Sequence, residues 1–222
     1  IIKETKTMAN ASNVGFGLRA INTVGQTPAT SGQAEYKIQT APGVASNKGD
    51  PMSTQDAGNQ GYQQDAGFTL TDDGGAGAAA WANNADALLT GVFNGAFFVD
   101  ASGSPTFSNN IVAGQTTSVD YNTGTNEISA FIMNNPFQQY TIKADAAVAQ
   151  SLIGGANNFN TLNYTATDNL NGQSIAKLNI ASAAATGMFK LIGYANDIDN
   201  KDFTVTGGDV VVAIAGGAGL YS

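Results

Sequence analysis

The chain has 222 residues, of which 42% are hydrophobic, enough for one large domain or two small ones with a real core, and too many for wholesale disorder. Charged residues are only 12%, and 9 Lys plus Arg against 17 Asp plus Glu leave a net charge of −8, which disfavours binding to nucleic acid or to anionic membranes. With no His and no Cys, disulfides, thiolate nucleophiles, imidazole bases and the usual zinc sites are excluded, and no cofactor is expected.

At the start, Met8-Ala9-Asn10 reads as an initiation site, so residues 1–7 are expected to be an upstream extension. The opening residues carry no signal-peptide core, and no apolar run approaches the roughly 20 residues of a membrane span. Synthesis in the cytoplasm without export is the expectation.

Residues 9–33 mix small and polar residues with spaced apolar ones, and Gly15, Gly17, Gly25 and Gly32 interrupt any helix. Val14, Phe16 and Leu18 alternate as in a strand or an extended segment. Two readings follow. In one, residues 1–33 are an N-terminal extension and docking arm, and Val14, Phe16, Leu18, Arg19, Ile21 and Val24 contact a partner. In the other, the segment is the first strand of the domain. The remainder, 34–222, is expected to be one domain.

Within it, residues 34–42 (AEYKIQTAP) predict a strand, 48–67 a loop-rich stretch, and 68–70 the start of a short strand. Asp72 to Ala80 (DDGGAGAAA) reads as a turn or low-complexity insertion, and Trp81 to Leu89 as a short helix. The strongest strand signal is LLTGVFNGAFFVD at 88–100, with Asn94-Gly95 as a hairpin turn or a bulge. Its aromatic residues Phe93, Phe97 and Phe98 are expected in the core. Residues 128–133 (ISAFIM) and 137–143 (FQQYTIK) predict a strand pair parted by Asn134-Asn135-Pro136. Asp145 is placed to cap a short helix, AAVAQSLI, ending at Gly154-Gly155. Strands are predicted again at 159–166, 174–180 and 188–195, then a polar turn at 196–202, and last DVVVAIA. Short strands with frequent turn signals predict an all-β chain: a single β-barrel or β-sandwich with one or two short helices and an extended N-terminal arm.

Catalysis without His or Cys would need paired carboxylates. The candidates Asp72 with Asp73, Glu127, Asp145, and Asp197 with Asp199 lie in no catalytic motif, so no enzyme is expected. The run Asp197 to Asp202 has the composition of a calcium loop, but its sixth position is Asp202 rather than Gly and its twelfth is Gly208 rather than Glu. It reads as a turn, and no metal site is assigned. The glycine pairs match no phosphate loop.

Several segments in order resemble a family of virion structural proteins from marine tailed phages. They are MANASNVGFGLRAINTVG, SGQAEYKI, the GDP at 49–51, TGVFNGAFFVD followed by TFSNN, NPFQQYTIKAD, and the DIDN turn after LIGYA. The likeness spans most of residues 8–214, and the glycine-alanine stretch at 74–80 departs from it. The resemblance implies a capsid decoration, or cement, protein on the outer surface of a phage head. Its partners would then be the major capsid protein and copies of itself, a trimer by analogy with decoration proteins. The alternatives are another virion part (the capsid shell, or a tail tube or sheath) and a surface carbohydrate-binding module. A lone Trp81 and the lack of an evident aromatic strip count against the last.

Overall fold

The computed structural model describes residue 10 and residues 12–23, 33–39, 45–54, 88–112, 114–118, 127–155, 158–159, 162–163, 172–184, 189–200 and 202–215. Over these the chain is all-β, and no helix reaches seven residues. The strands are β1 (Arg19–Thr23), β2 (Ala34–Gln39), β3 (Ser46–Asn47), β4 (Pro51–Thr54), β5 (Leu88–Val99), β6 (Pro105–Ser108), β7 (Asn110–Ile111) and β8 (Glu127–Met133). They continue with β9 (Gln138–Ala144), β10 (Asn158–Phe159), β11 (Leu162–Asn163), β12 (Lys177–Leu178), β13 (Ala183–Ala184), β14 (Phe189–Tyr194) and β15 (Asp209–Ile214).

Eight strands form one sheet in the order β11-β12-β9-β15-β14-β10-β13, with β1 added on β9. Strand β9 is its centre. One edge pairs with β15 from Gln139 to Lys143; the other is shared by β1 and, in parallel, by β12. A second sheet of five strands runs β2-β8-β5-β4, with β6 also on β5. Its long strand β5 likewise divides one edge, between β4 and β6, and gives the other to β8. A small pair, β3 with β7, adjoins it.

Alternation decides what each sheet buries. In β9, Tyr140, Ile142 and Ala144 point inward, joined by Val210, Val212 and Ile214 of β15 and by Phe189 and Leu191 of β14. Leu18, Phe159, Leu162 and Leu178 complete this first core. Each large side chain removed from water contributes about 1.5–3 kcal/mol before ordering entropy. The Tyr140 hydroxyl donates to the Met133 carbonyl at 3.2 Å, and burial pushes its pKa up.

The second core holds Met52, Phe93, Ala96, Phe98, Ile111, Ile128, Ala130 and Ile132. Strand β5 is one continuous strand with a bulge: its register against β8 slips between Phe93 and Gly95, and Gly95 has a φ of 139°. The extra residue changes the parity of the strand. Phe93 before the bulge and Ala96 and Phe98 after it therefore face one core, while Phe97 is turned outward. Gly91 is needed because a Cβ there would overlap the Met133 carbonyl.

The two sheets are tied together by residues 47–50. Gly49 accepts from the Leu18 amide (2.9 Å) and donates to the Phe93 carbonyl (2.8 Å), and the Phe93 amide donates to Asp50 (2.9 Å). The Lys48 amide reaches Asn109, and its carbonyl takes the Ser174 amide. Asp50 is buried there, accepting from the Asn47 amide at 2.7 Å. Burial pushes its carboxyl up to about 6, against the hydrogen bonds from Ser174 and Asn47.

Several expectations are corrected. No α-helix forms over 145–153: Asp145 accepts from the Ile180 amide (2.9 Å), Val148 enters the first core, and its amide donates to Phe203. The short helical piece is a 3-10 turn at Gln150–Leu152, since so short a segment gains little from helix propagation and Val148 is held by the first core. Leu88 and Leu89 belong to β5, and the rest of the helix expected over 81–89 lies outside the described residues, as do 68–80. Strands β8 and β9 do not pair. Asn134 to Pro136 carry the chain from one sheet to the other, since Ile128, Ala130 and Ile132 belong to the second core and Tyr140 and Ile142 to the first. The short strands β3, β4, β6 and β7 had no counterpart in the predicted elements.

Residues 12–23 are built into the domain, with β1 paired to β9 at Arg19–Thr141 and Ala20–Tyr140, and Leu18 only 1% exposed in the first core.

Candidate functional site

The outward face of the eight-stranded sheet carries the cleft. On β9 and β15, the residues between the core side chains point away from the first core, and Lys143 and Asp209 are register partners there. Lys143 Nζ donates to Asp209 Oδ1 at 2.6 Å and to the Gly207 carbonyl at 3.0 Å. The two side chains are 2% and 7% exposed. Such a pair gains little net stability over apolar residues, but removing one partner strands a buried charge.

Two adjoining cavities, of about 320 and 470 Å³, open above this pair and share Phe16, Arg19, Asp197 and Asp209. One wall is the N-terminal segment. Gly15 lies against the Ile175 carbonyl so closely that a Cβ would overlap it, and Gly17, at a φ of 67°, donates to the Ala176 carbonyl at 3.2 Å. These glycines let the segment run tightly along residues 174–176 and so lift Phe16 to the rim.

The opposite wall is the loop from Ala195 to Gly208. Asp197 Oδ1 accepts from the amides of Asp199 (2.8 Å) and Asn200 (3.1 Å), which closes the turn. The Asp209 amide donates to the Asn200 carbonyl at 3.1 Å, and Ser12 donates its amide to Asn200 Oδ1 at 3.2 Å. Asn10 clasps the far end, donating to Asp202 and Thr206 and accepting from the Asp202 amide. Asp202 itself is held below the usual carboxylate range by the Thr204 hydroxyl. The Asp197 and Asp202 carboxylates thus close backbone turns, and among the described residues no three acidic side chains form a metal-holding group.

Arg19 is the chain's sole arginine. Its guanidinium lies 4.3 Å from the centre of the Phe16 ring. With the Gln173 amide oriented to satisfy both groups, its oxygen accepts from Arg19 Nη2 and Nε at 2.9 and 3.1 Å. Among the described residues it has no carboxylate partner, since Asp209 is committed to Lys143. The guanidinium is therefore held in one orientation with donors to spare, the arrangement that suits a carboxylate from outside.

Of the residues expected to contact a partner, Val14 (53% exposed), Phe16, Arg19 and Ile21 line this cleft. Leu18 does not, being locked in the core, and Val24 lies outside the described residues. Lys143, Asp209, Gln173 and Tyr194 were missed. Lys143 leaves a trace in the sequence: it is a charge within a run that otherwise alternates as a half-buried strand. Tyr194 stacks on Phe203 with ring centres 3.7 Å apart and donates to the Val148 carbonyl.

No family model, no curated protein and no solved structure matches the chain.

Proposed function

We propose that the chain is a non-enzymatic virion structural protein, a capsid decoration protein that binds the outside of a phage head and docks through the Arg19 cleft. One observation carries the reading. Val14, Phe16, Arg19 and Ile21 gather around a cleft whose arginine is oriented but has no carboxylate partner among the described residues. That is a socket for an acidic side chain flanked by apolar ones on a partner surface. The scarcity of charge, 12% of residues, supports it, because close subunit contact then strands few ions. The sequence resemblance to virion structural proteins points the same way. In this reading the partners are the major capsid protein and further copies of the chain, a trimer by analogy. The place is the capsid exterior, where a negative net charge faces away from packaged DNA.

The test is co-sedimentation of the purified chain with heads of the encoding phage, beside unassembled shell protein. Assembled heads should retain the chain and free shell protein should not. Arg19→Ala should weaken retention by about tenfold or more, the usual worth of a bidentate arginine contact. Equal binding to unassembled protein, or full retention of Arg19→Ala, overturns the reading.

A further inference from the structure

The second sheet has its own outward face, and it differs in kind. The bulge in β5 turns Phe97 away from the core, and Phe97 is the register partner of Phe107 on β6. The two rings lie 4.8 Å apart, tilted by 46°. Phe131 of β8 stands on the same face, two residues along from Ser129, the partner of Phe97. Phe107 is 76% exposed. A recess of about 350 Å³ lies beside these rings, lined by those of Phe107 and Phe131, with Gln33, Asn94 and Asn109 on its rim. Asn94 Nδ2 donates to Gln33 Oε1 at 2.7 Å, so the rim amides are oriented.

Among the described residues, no charged side chain lines the recess. Glu35, the nearest acid on this face by register, accepts from Ser129 at 2.6 Å. A neutral lining gives nothing to an ionic ligand, so nucleic acid and charged peptide segments are disfavoured. A purely apolar ligand would leave the remaining donors and acceptors of the rim amides without partners. The combination fits a ligand that presents C–H faces to the rings and hydroxyls to amides at the edge. That ligand is a neutral saccharide, and we infer that the Phe97–Phe107–Phe131 face is a saccharide-binding platform. This is independent of the capsid reading, since it uses another sheet and none of the cleft residues.

The experiment is native affinity electrophoresis of the full chain in gels containing dextran, mannan, laminarin or galactan, with alginate as the charged control. At least one neutral glycan should retard the chain and alginate should not. Phe107→Ala should weaken retardation by about tenfold, through loss of ring stacking and buried area, and Asn109→Ala by severalfold. Arg19→Ala should leave it unchanged, and Phe107→Ala should leave capsid binding unchanged. Retardation by none of the four neutral glycans overturns the inference, as does retardation by alginate alone. Phe107→Ala that retains full glycan binding overturns it too. So does Phe107→Ala that changes only the sedimentation of the free protein, which would make the face a contact between copies.

Discussion

The two sheets share a plan and part company on their outer faces. Each has a central strand, β9 or β5, that splits one edge between two partners, and each buries an alternating apolar face. Outside, the eight-stranded sheet carries a buried Lys143–Asp209 pair under a cleft roofed by the N-terminal segment and the 195–208 loop. The five-stranded sheet carries aromatic rings and amides, open to solvent. A buried pair adds little net stability, so what separates the two faces is chemistry: an ion pair and an oriented arginine on the first, aromatic rings and amides on the second.

The largest effect that would break this contrast is at the ion pair. Lys143→Met should destabilise the fold by about 3–5 kcal/mol, because Asp209 is left buried and unpaired. The double variant Lys143→Met, Asp209→Leu should recover most of that loss in urea unfolding. A single variant as stable as the parent would mean that the pair is solvated and the cleft floor soft.

The five-stranded sheet should show the same order of loss from a purely apolar change. Phe93→Ala should cost about 3–5 kcal/mol through the cavity it leaves. Chemical denaturation checks it, and a small loss would mean that the second core can collapse onto the gap.

Asp50 sharpens the comparison at the seam between the sheets. Its carboxyl is raised from 3.8 to about 6, so folding favours its protonated form. Its contribution is therefore fully present below about pH 4 and lost as pH rises through about 6, a swing of about 3 kcal/mol. Asp100 and Asp202, held low by Ser102 and Thr204, act with the opposite sign and lose their contribution as pH falls. The measurement is therefore a difference: parent minus Asp50→Asn across pH 4 to 7. Asp50→Asn should gain on the parent as pH rises, and a flat difference would count against a buried carboxyl at the seam.

The smallest effect belongs to the open aromatic face. Phe107→Ala should change stability by no more than about 0.5 kcal/mol, since its ring is mostly in water already. A loss comparable to that at Phe93 would mean that Phe107 is packed and not available to a ligand.

The all-β class and the long strands were legible because the β-branched and aromatic clusters at 88–100 and 209–215, and the alternation at 137–143, are local signals. So was the choice between turn and bulge at Asn94-Gly95, offered as alternatives and decided by Gly95's φ of 139°. What escaped was non-local. FQQYTIK reads as a strand, but nothing within it says that its partners are β1, β12 and β15 rather than the neighbouring β8. Phe97 reads as core, like Phe93 and Phe98, until the bulge reverses the parity. The cleft was half visible. Val14, Phe16, Arg19 and Ile21 stood out as apolar side chains and a lone arginine in a glycine-rich run, whereas Lys143 and Asp209 acquire meaning only from a register that pairs residues 66 apart.

The clasp at residues 47–50 has a consequence for biosynthesis. Leu18, Phe93, Asn109 and Ser174 all bond to those residues, and the cleft above the Lys143–Asp209 pair takes its walls from residue 12 through residue 211. Closing such long loops is slow compared with local pairing. On a translating ribosome, Arg19 would emerge early but find no floor until β15, the last of the described strands, had been made. An incomplete chain would thus present no finished socket, and docking competence would itself certify that synthesis had run through β15.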